Sequence, residues 1–183
     1  MKLVLAMTGA SGSIYMQRLL ARIDPAAHDV HLVLSTHARQ VAAEELPTGK
    51  LEVPDGVRVH DDRSMHVPFT SGSARFDAMA VVPCSMGTVG RIAAGTSEST
   101  ILRTADVFLK ERRKLILVPR ETPWSLIHAR NVVAVMEAGA LVLPAIPSFY
   151  HRPGTVEEVV DTVVFRILDH LGLAPENTRR WQE

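Results

Sequence analysis

The chain has 183 residues, 20 Lys plus Arg against 20 Asp plus Glu, and a single cysteine. That length suits one compact domain with a full core, so a single domain over 1–183 is expected, and the balanced charge supplies no overall field to recruit nucleic acid or an anionic membrane. Apolar runs break at Pro, Gly or charge before the roughly 18 residues that a membrane span needs, no signal-like segment opens the chain, and one cysteine excludes an internal disulfide or multi-cysteine metal site; the reading is a cytoplasmic protein with a small-molecule partner.

The first apolar run, 2–7, ends in Met7-Thr8-Gly9-Ala10-Ser11-Gly12-Ser13 and opens a helical pattern at 12–23. A strand that breaks at two glycines into a helix start exposes backbone N–H groups at the positive end of the helix dipole, so this junction reads as a phosphate cradle. An ordinary strand-to-helix turn is the plainer reading. The next strand is expected at 31–35 and its helix at 36–46. Residues 47–72, with three prolines and three glycines, read as an irregular connection around a short strand at 57–60, a candidate mobile lid. Strand 78–83 precedes helices 86–94 and 99–111, strand 114–119 precedes helix 124–138, and strand 140–144 precedes helix 155–171. Thr155 with Glu157 and Glu158 resembles a helix cap with acidic first-turn residues. Near-continuous apolar strands alternating with helices predict a three-layer, Rossmann-like α/β fold: a mostly parallel six-stranded sheet with helices on both faces.

In such sheets ligands collect at the carboxyl ends of the strands. Those ends carry Thr8-Gly9-Ala10-Ser11-Gly12, Ser35-Thr36-His37, Pro83-Cys84-Ser85-Met86-Gly87-Thr88, Arg120-Glu121-Thr122 and the stretch 144–150. A dinucleotide site would add a third glycine and an acidic residue after strand two; here Tyr15 and Met16 follow the junction, and strand two ends in Ser35. Neither tyrosine has a lysine four residues on, which excludes the short-chain dehydrogenase pattern. A mononucleotide with one phosphate fits better. Arg120 and Glu121 put a cation and a carboxylate beside the expected crevice, as a tuned catalytic pair or a structural ion pair. Arg103 and Lys110, seven apart, share a helical face. Arg166 interrupts the apolar pattern Val159, Val163, Ile167, so it meets an anion or a subunit boundary, or snorkels to solvent. Cys84 is either a buried small hydrophobe or a neighbour of the site. The histidines show no metal-ligand spacing, and no metal is expected.

Five stretches together resemble the UbiX flavin prenyltransferases: Leu5 to Gly12, Pro83 to Thr88, Arg103 to Val107 with Leu109 to Arg113, Val118 to Pro123, and Pro147 to Pro153. The resemblance implies a metal-independent enzyme that joins reduced FMN to dimethylallyl monophosphate, giving prenylated FMN and phosphate. By the same resemblance, Gly9, Ala10, Ser11, Ser35, Ser85, Met86, Gly87, Thr88 and Arg120 hold the flavin. Tyr150 and Arg166 hold the prenyl phosphate, and Lys110, Glu121, Arg103 and Glu45 stand at further active-site positions, with Ser11 also a catalytic candidate. For that chemistry, Lys110, Arg166, Tyr150 and Arg103 are the candidates to stabilise the leaving phosphate by charge-assisted hydrogen bonds, and Glu121 is the candidate acid/base, with the phosphate itself the alternative proton acceptor. The resemblance further implies a homo-oligomer, a dodecamer with active sites shared at subunit boundaries, and functional links to a UbiD-type decarboxylase and a flavin reductase. Two departures stand out: the family's Asp-Asn-Leu or Asn-Asn-Leu is here Glu98-Ser99-Thr100, and Met65 takes the place of an aromatic residue before Ser71-Gly72-Ser73. The competing readings are a related flavin-dependent cysteine-type decarboxylase, which carries Pro-Ala-Ser-Ala-Asn-Thr where this chain has Pro-Cys-Ser-Met-Gly-Thr, and a non-catalytic FMN carrier.

Overall fold

Alternate residues of the first strand face opposite ways, and that alternation builds the two cores. A computed structural model describes residues 1–174. In β1 (Lys2–Met7), Leu3, Leu5 and Met7 enter one buried cluster while Val4 and Ala6 enter the other, as the period of two requires. The other strands are β2 (Asp29–Leu34), β3 (Arg58–Asp61), β4 (Ala78–Cys84), β5 (Lys114–Pro119) and β6 (Leu141–Val142). They form one sheet in the order β3-β2-β1-β4-β5-β6, every pairing parallel. The expected fold class is therefore the observed one, and the sheet is wholly parallel.

Helices α1 (Ser13–Leu20), α2 (Thr36–Glu45) and α6 (Val156–Leu171) cover the face of Leu3 and Leu5. Helices α3 (Met86–Ala93), α4 (Thr100–Lys110) and α5 (Leu126–Glu137) cover the other. Each fully buried Leu, Val or Phe along these seams contributes about 1.5–3 kcal/mol. Asp161, buried in α6, is bridged by Arg18 at 2.5 Å and by Arg22, which ties α1 to α6.

Two expectations shift in detail. The sixth strand was expected over 140–144, but only Leu141 and Val142 pair as a ladder, although Leu143 N–H and Ala145 N–H still donate to Leu117 and Pro119 carbonyls. The stretch 47–72 contains β3 and a 3₁₀ turn at Pro68–Thr70, and it is anchored where a mobile lid was expected. Phe69 is fully buried, the Thr100 hydroxyl donates to Ser64 O at 2.7 Å, and Arg103 Nε donates to Thr70 O at 3.2 Å. Buried aromatic area and satisfied backbone groups are what hold an irregular segment down.

The chain runs outward from β1 to β2 and β3 on one side, then returns to start β4 on the other. The topological switch point therefore lies between the carboxyl ends of β1 and β4, where an open α/β sheet places its ligand crevice.

Candidate functional site

Thr8 closes the gap between β1 and β4. Its hydroxyl donates to Pro83 O at 3.1 Å and accepts the Ser85 N–H at 2.8 Å, while its own N–H donates to Pro83 O at 3.2 Å. Beside it, a Cβ built on Gly9 would lie 2.4 Å from His37 Cβ. Only glycine lets the strand end pass this close to the start of α2.

Three helix starts then converge on one cavity of ≈ 260 Å³. Ser35 caps α2, accepting the Ala38 N–H at 3.1 Å; Ser85 caps α3, accepting the Thr88 N–H at 3.3 Å; Ser99 caps α4, accepting the Leu102 N–H at 3.3 Å. All three serines line the cavity, with Thr8 and Gly9 on its floor, Thr36 and His37 from α2, and Thr88 and Arg91 from α3. Asp62 completes the wall, its Oδ1 accepting the Ile101 N–H at 2.7 Å. Burial pushes the Asp62 carboxyl upward, against the hydrogen bonds from Ile101 N–H and Ser99. Helix starts carry partial positive charge and spare N–H donors, and hydroxyls and a guanidinium add to them, so the donor set suits an anion of phosphate type.

The start of α1, where the sequence suggested the phosphate cradle, is arranged differently. The Glu45 carboxylate reaches it from the last turn of α2, accepting the N–H groups of Gly12 at 2.9 Å and Ser13 at 2.7 Å. The dipole end is already answered by a resident anion. Burial raises the Glu45 pKa, but hydrogen bonds from the Ser11 hydroxyl and the Ser13 and Gly12 N–H groups hold it below the usual carboxylate range. Ser11 and Glu45, named together from the sequence, thus meet at the α1 start. Arg120 joins them, Nε donating to Ser11 O at 2.9 Å.

Of the flavin-binding candidates, Gly9, Ser35, Ser85 and Thr88 line the cavity. Ala10 and Met86 are buried, Gly87 is exposed on the first turn of α3, and Ser11 and Arg120 sit at the rim formed by the α1 junction. The second group lies elsewhere on the chain. Lys110 pairs with Glu111 at 2.7 Å, Arg103 with Asp106 at 2.8 Å, and Arg166 with Asp169 at 3.0 Å. Glu121 is exposed and accepts the Thr122 N–H at 3.0 Å, and Tyr150 is 73% exposed. None of these five lines the cavity within one chain. Cys84 is a buried hydrophobe: burial pushes its thiol up to about 12, which leaves it unreactive.

Sequence reasoning passed over Asp62, Arg91, Ser99, Ile101 and Leu102 as site residues. The available signal for Ser99 was a serine just before an apolar helical pattern; Asp62 reaches the cavity only through tertiary packing. Among the described residues no group of three or more His, Cys, Asp or Glu is placed to hold a metal ion, and no helix is long and apolar enough to cross a membrane.

Comparison with known proteins gives a consistent set of relatives. The Flavoprotein family profile matches residues 1–168. The flavin prenyltransferase UbiX of Methanocaldococcus jannaschii is 42% identical over 182 residues, 99% of this chain and 98% of the relative. That of Pseudomonas aeruginosa is 41% identical, covering 100% of this chain and 94% of the relative. Among solved structures, a dodecameric FMN-dependent UbiX-like decarboxylase from Escherichia coli O157:H7 superposes with TM-score 0.92 at 40% identity, over 100% of both chains. AnUbiX (PadA1), solved in complex with FMN and dimethylallyl pyrophosphate, gives 0.91 at 40% identity, over 100% of this chain and 97% of that one.

Proposed function

This chain belongs to the UbiX flavin prenyltransferases, a group within the flavoproteins, and on that premise we propose that it transfers the prenyl group of dimethylallyl monophosphate to reduced FMN, giving prenylated FMN and phosphate. The observation that carries the reading in this chain is the convergence of three serine-capped helix starts on one cavity at the switch point of the sheet. The donor set fits the FMN phosphate. At α3, a Cβ built on Gly87 would meet nothing within 4 Å, so the first turn presents its backbone to open space. The starts of α2 and α3 would hold the phosphate, and Gly9, Ala10, Ser11 and Arg120 the ring system.

Reduced FMN supplies, when bound, the nucleophilic atoms to which the prenyl carbons are joined. The residues of this chain do the rest. The bond from the allylic carbon to the phosphate oxygen breaks, and the leaving phosphate is stabilised by Lys110, Arg103, Tyr150 and Arg166 through charge-assisted hydrogen bonds. The three cations now pair with neighbouring carboxylates at positions i+1 or i+3, on partly exposed surface. Such pairs are worth about 0–1 kcal/mol, so exchanging the carboxylate for a phosphate costs little. Glu121 moves the proton released as the ring closes. Glu45 keeps the α1 start neutralised and orients the Ser11 hydroxyl.

Tyr150 and Arg166 do not line the cavity of their own chain, and a homo-oligomer, a dodecamer in this reading, brings them to the site of a neighbouring copy. Ile146 and Phe149, 75% and 63% exposed beside Tyr150, support burial of this segment against a neighbour. A cytoplasmic setting, a flavin reductase upstream and a UbiD-type decarboxylase using the product complete the proposal.

The test follows the leaving group. Anaerobic turnover with photoreduced FMN should release inorganic phosphate from dimethylallyl monophosphate, and Glu121→Gln should slow formation of the prenylated flavin while FMN still binds. Release of pyrophosphate from the diphosphate in preference would reassign the donor, and no release from either would sink the reading.

A further inference from the structure

Among the described residues lining the cavity, the charged side chains are Arg91 and Asp62, and they are held very differently. Asp62 is fixed, its Oδ1 locked on the Ile101 N–H at 2.7 Å while its own carbonyl accepts the Thr100 N–H at 2.7 Å, so it cannot withdraw without uncapping α4. Arg91 is free to move at its end. Its Nε donates to Gly87 O at 3.2 Å, which fixes the base of the arm, but Nη1 only approaches Glu98 at 3.8 Å, and the two side chains are 53% and 57% exposed. A phosphate monoester brings close to two negative charges into a cavity that already holds a carboxylate, and like charges within a few ångströms are costly unless a cation intervenes. Helix starts contribute only partial charges.

We infer that Arg91 is the counter-charge of the flavin phosphate: it leaves Glu98, closes on the phosphate, and offsets Asp62, so the cavity selects phosphorylated over unphosphorylated flavin. This rests on the FMN reading of the cavity. Burial holds the Asp62 carboxyl above its ordinary value, and the Arg91 charge acts in the opposite sense, behind the hydrogen bonds from Ile101 N–H and Ser99. Glu98 belongs to the segment Glu98-Ser99-Thr100 that departs from the family pattern.

The test is equilibrium binding of oxidised FMN and of riboflavin to the full chain, read by quenching of flavin fluorescence. Arg91→Gln keeps a donor for the Gly87 carbonyl and removes the charge; it should weaken FMN by about tenfold, the worth of one partly exposed charge-assisted bond, and leave riboflavin unchanged, with Arg91→Lys recovering most of the loss. Asp62→Asn keeps an acceptor for the Ile101 N–H and should tighten FMN alone. Equal losses for both flavins in Arg91→Gln, no loss at all, or weaker FMN binding in Asp62→Asn would overturn the assignment. A wild-type protein that does not prefer FMN over riboflavin would remove the phosphate seat itself, whereas a wild-type preference untouched by Arg91→Gln removes only Arg91.

Discussion

The carboxylate of Glu45, the last residue of α2, accepts the backbone N–H of Ser13, the first residue of α1, at 2.7 Å. A side chain from one helix thereby caps the next, and Gly12 can serve as the N-cap residue in a left-handed conformation, φ 115°, with no side chain of its own. The proposed anion site lies elsewhere as a result. The α1 start is answered internally, and the starts of α2 and α3 remain for a ligand.

Replacing Glu45 by Gln should therefore cost about 0.5–1 kcal/mol at neutral pH, the usual worth of an exposed charge at a helix start. The sign follows from its depressed pKa: the charged form stabilises the fold above the ordinary carboxylate range of about 4.3, and the contribution is lost as pH falls through the lower folded value. Urea midpoints at pH about 7 and about 3 should differ by more for the wild type than for Glu45→Gln. Equal differences would remove the capping role.

Gly9→Ala places a methyl group 2.4 Å from His37 Cβ. A Cβ cannot rotate away, so the α2 start must shift, at a cost of about 1–3 kcal/mol. Because Ser35 and Thr36 move with it, FMN affinity should fall along with the denaturation midpoint. A variant with wild-type stability and wild-type FMN binding would contradict the close approach.

His31 on β2 and His60 on β3 join through Nδ1 and Nε2 at 2.9 Å, their rings stacked at 5.0 Å, with Phe69 and Phe76 edge-on to His31. One ring donates and the other accepts, so the pair holds a single proton between the two facing nitrogens. Asp29 faces His31 at 3.2 Å and Arg58 bonds Asp29, while Lys2 lies over Phe76. Burial, with help from Arg58, pushes both histidines below their ordinary value. Stability from the pair is then complete above about pH 6.5 and lost as pH falls through the depressed values. Denaturant midpoints should decline between pH about 6.5 and about 5 in the wild type and stay flatter in His60→Phe; parallel curves would show that the pair does not titrate with unfolding.

Much of this molecule is legible in its sequence because parallel strands covered on both faces are apolar throughout. Leu3 to Met7 and Leu115 to Pro119 announce themselves, and the turns after them carry small polar residues. β6 was overestimated because an apolar run says nothing of how many residues find a partner, and only Leu141 and Val142 do. The stretch 47–72 looked loose because its anchors are tertiary: Phe69 in the core, and Asp62 and Ser64 on the start of α4. The cavity followed the same division. Ser35, Ser85 and Thr88 could be named from strand ends, but Asp62 arrives from a segment with no pattern, and Arg91 sits a turn past Thr88 on a helix whose other face is core. The role of Glu45 at the α1 start could not be read from spacing, since 32 residues separate it from Ser13 and only the packing of α2 against α1 brings them together.

The mass of the flavin decides whether this chain prenylates FMN. Anaerobic incubation of the protein with FMN, a reductant and dimethylallyl monophosphate, followed by mass spectrometry of the flavin released on denaturation, should show FMN heavier by one five-carbon prenyl unit, in an amount that grows with enzyme and vanishes without reductant. Recovery of unaltered FMN, from protein shown to have bound both compounds, would contradict the assignment of this chain as a working flavin prenyltransferase.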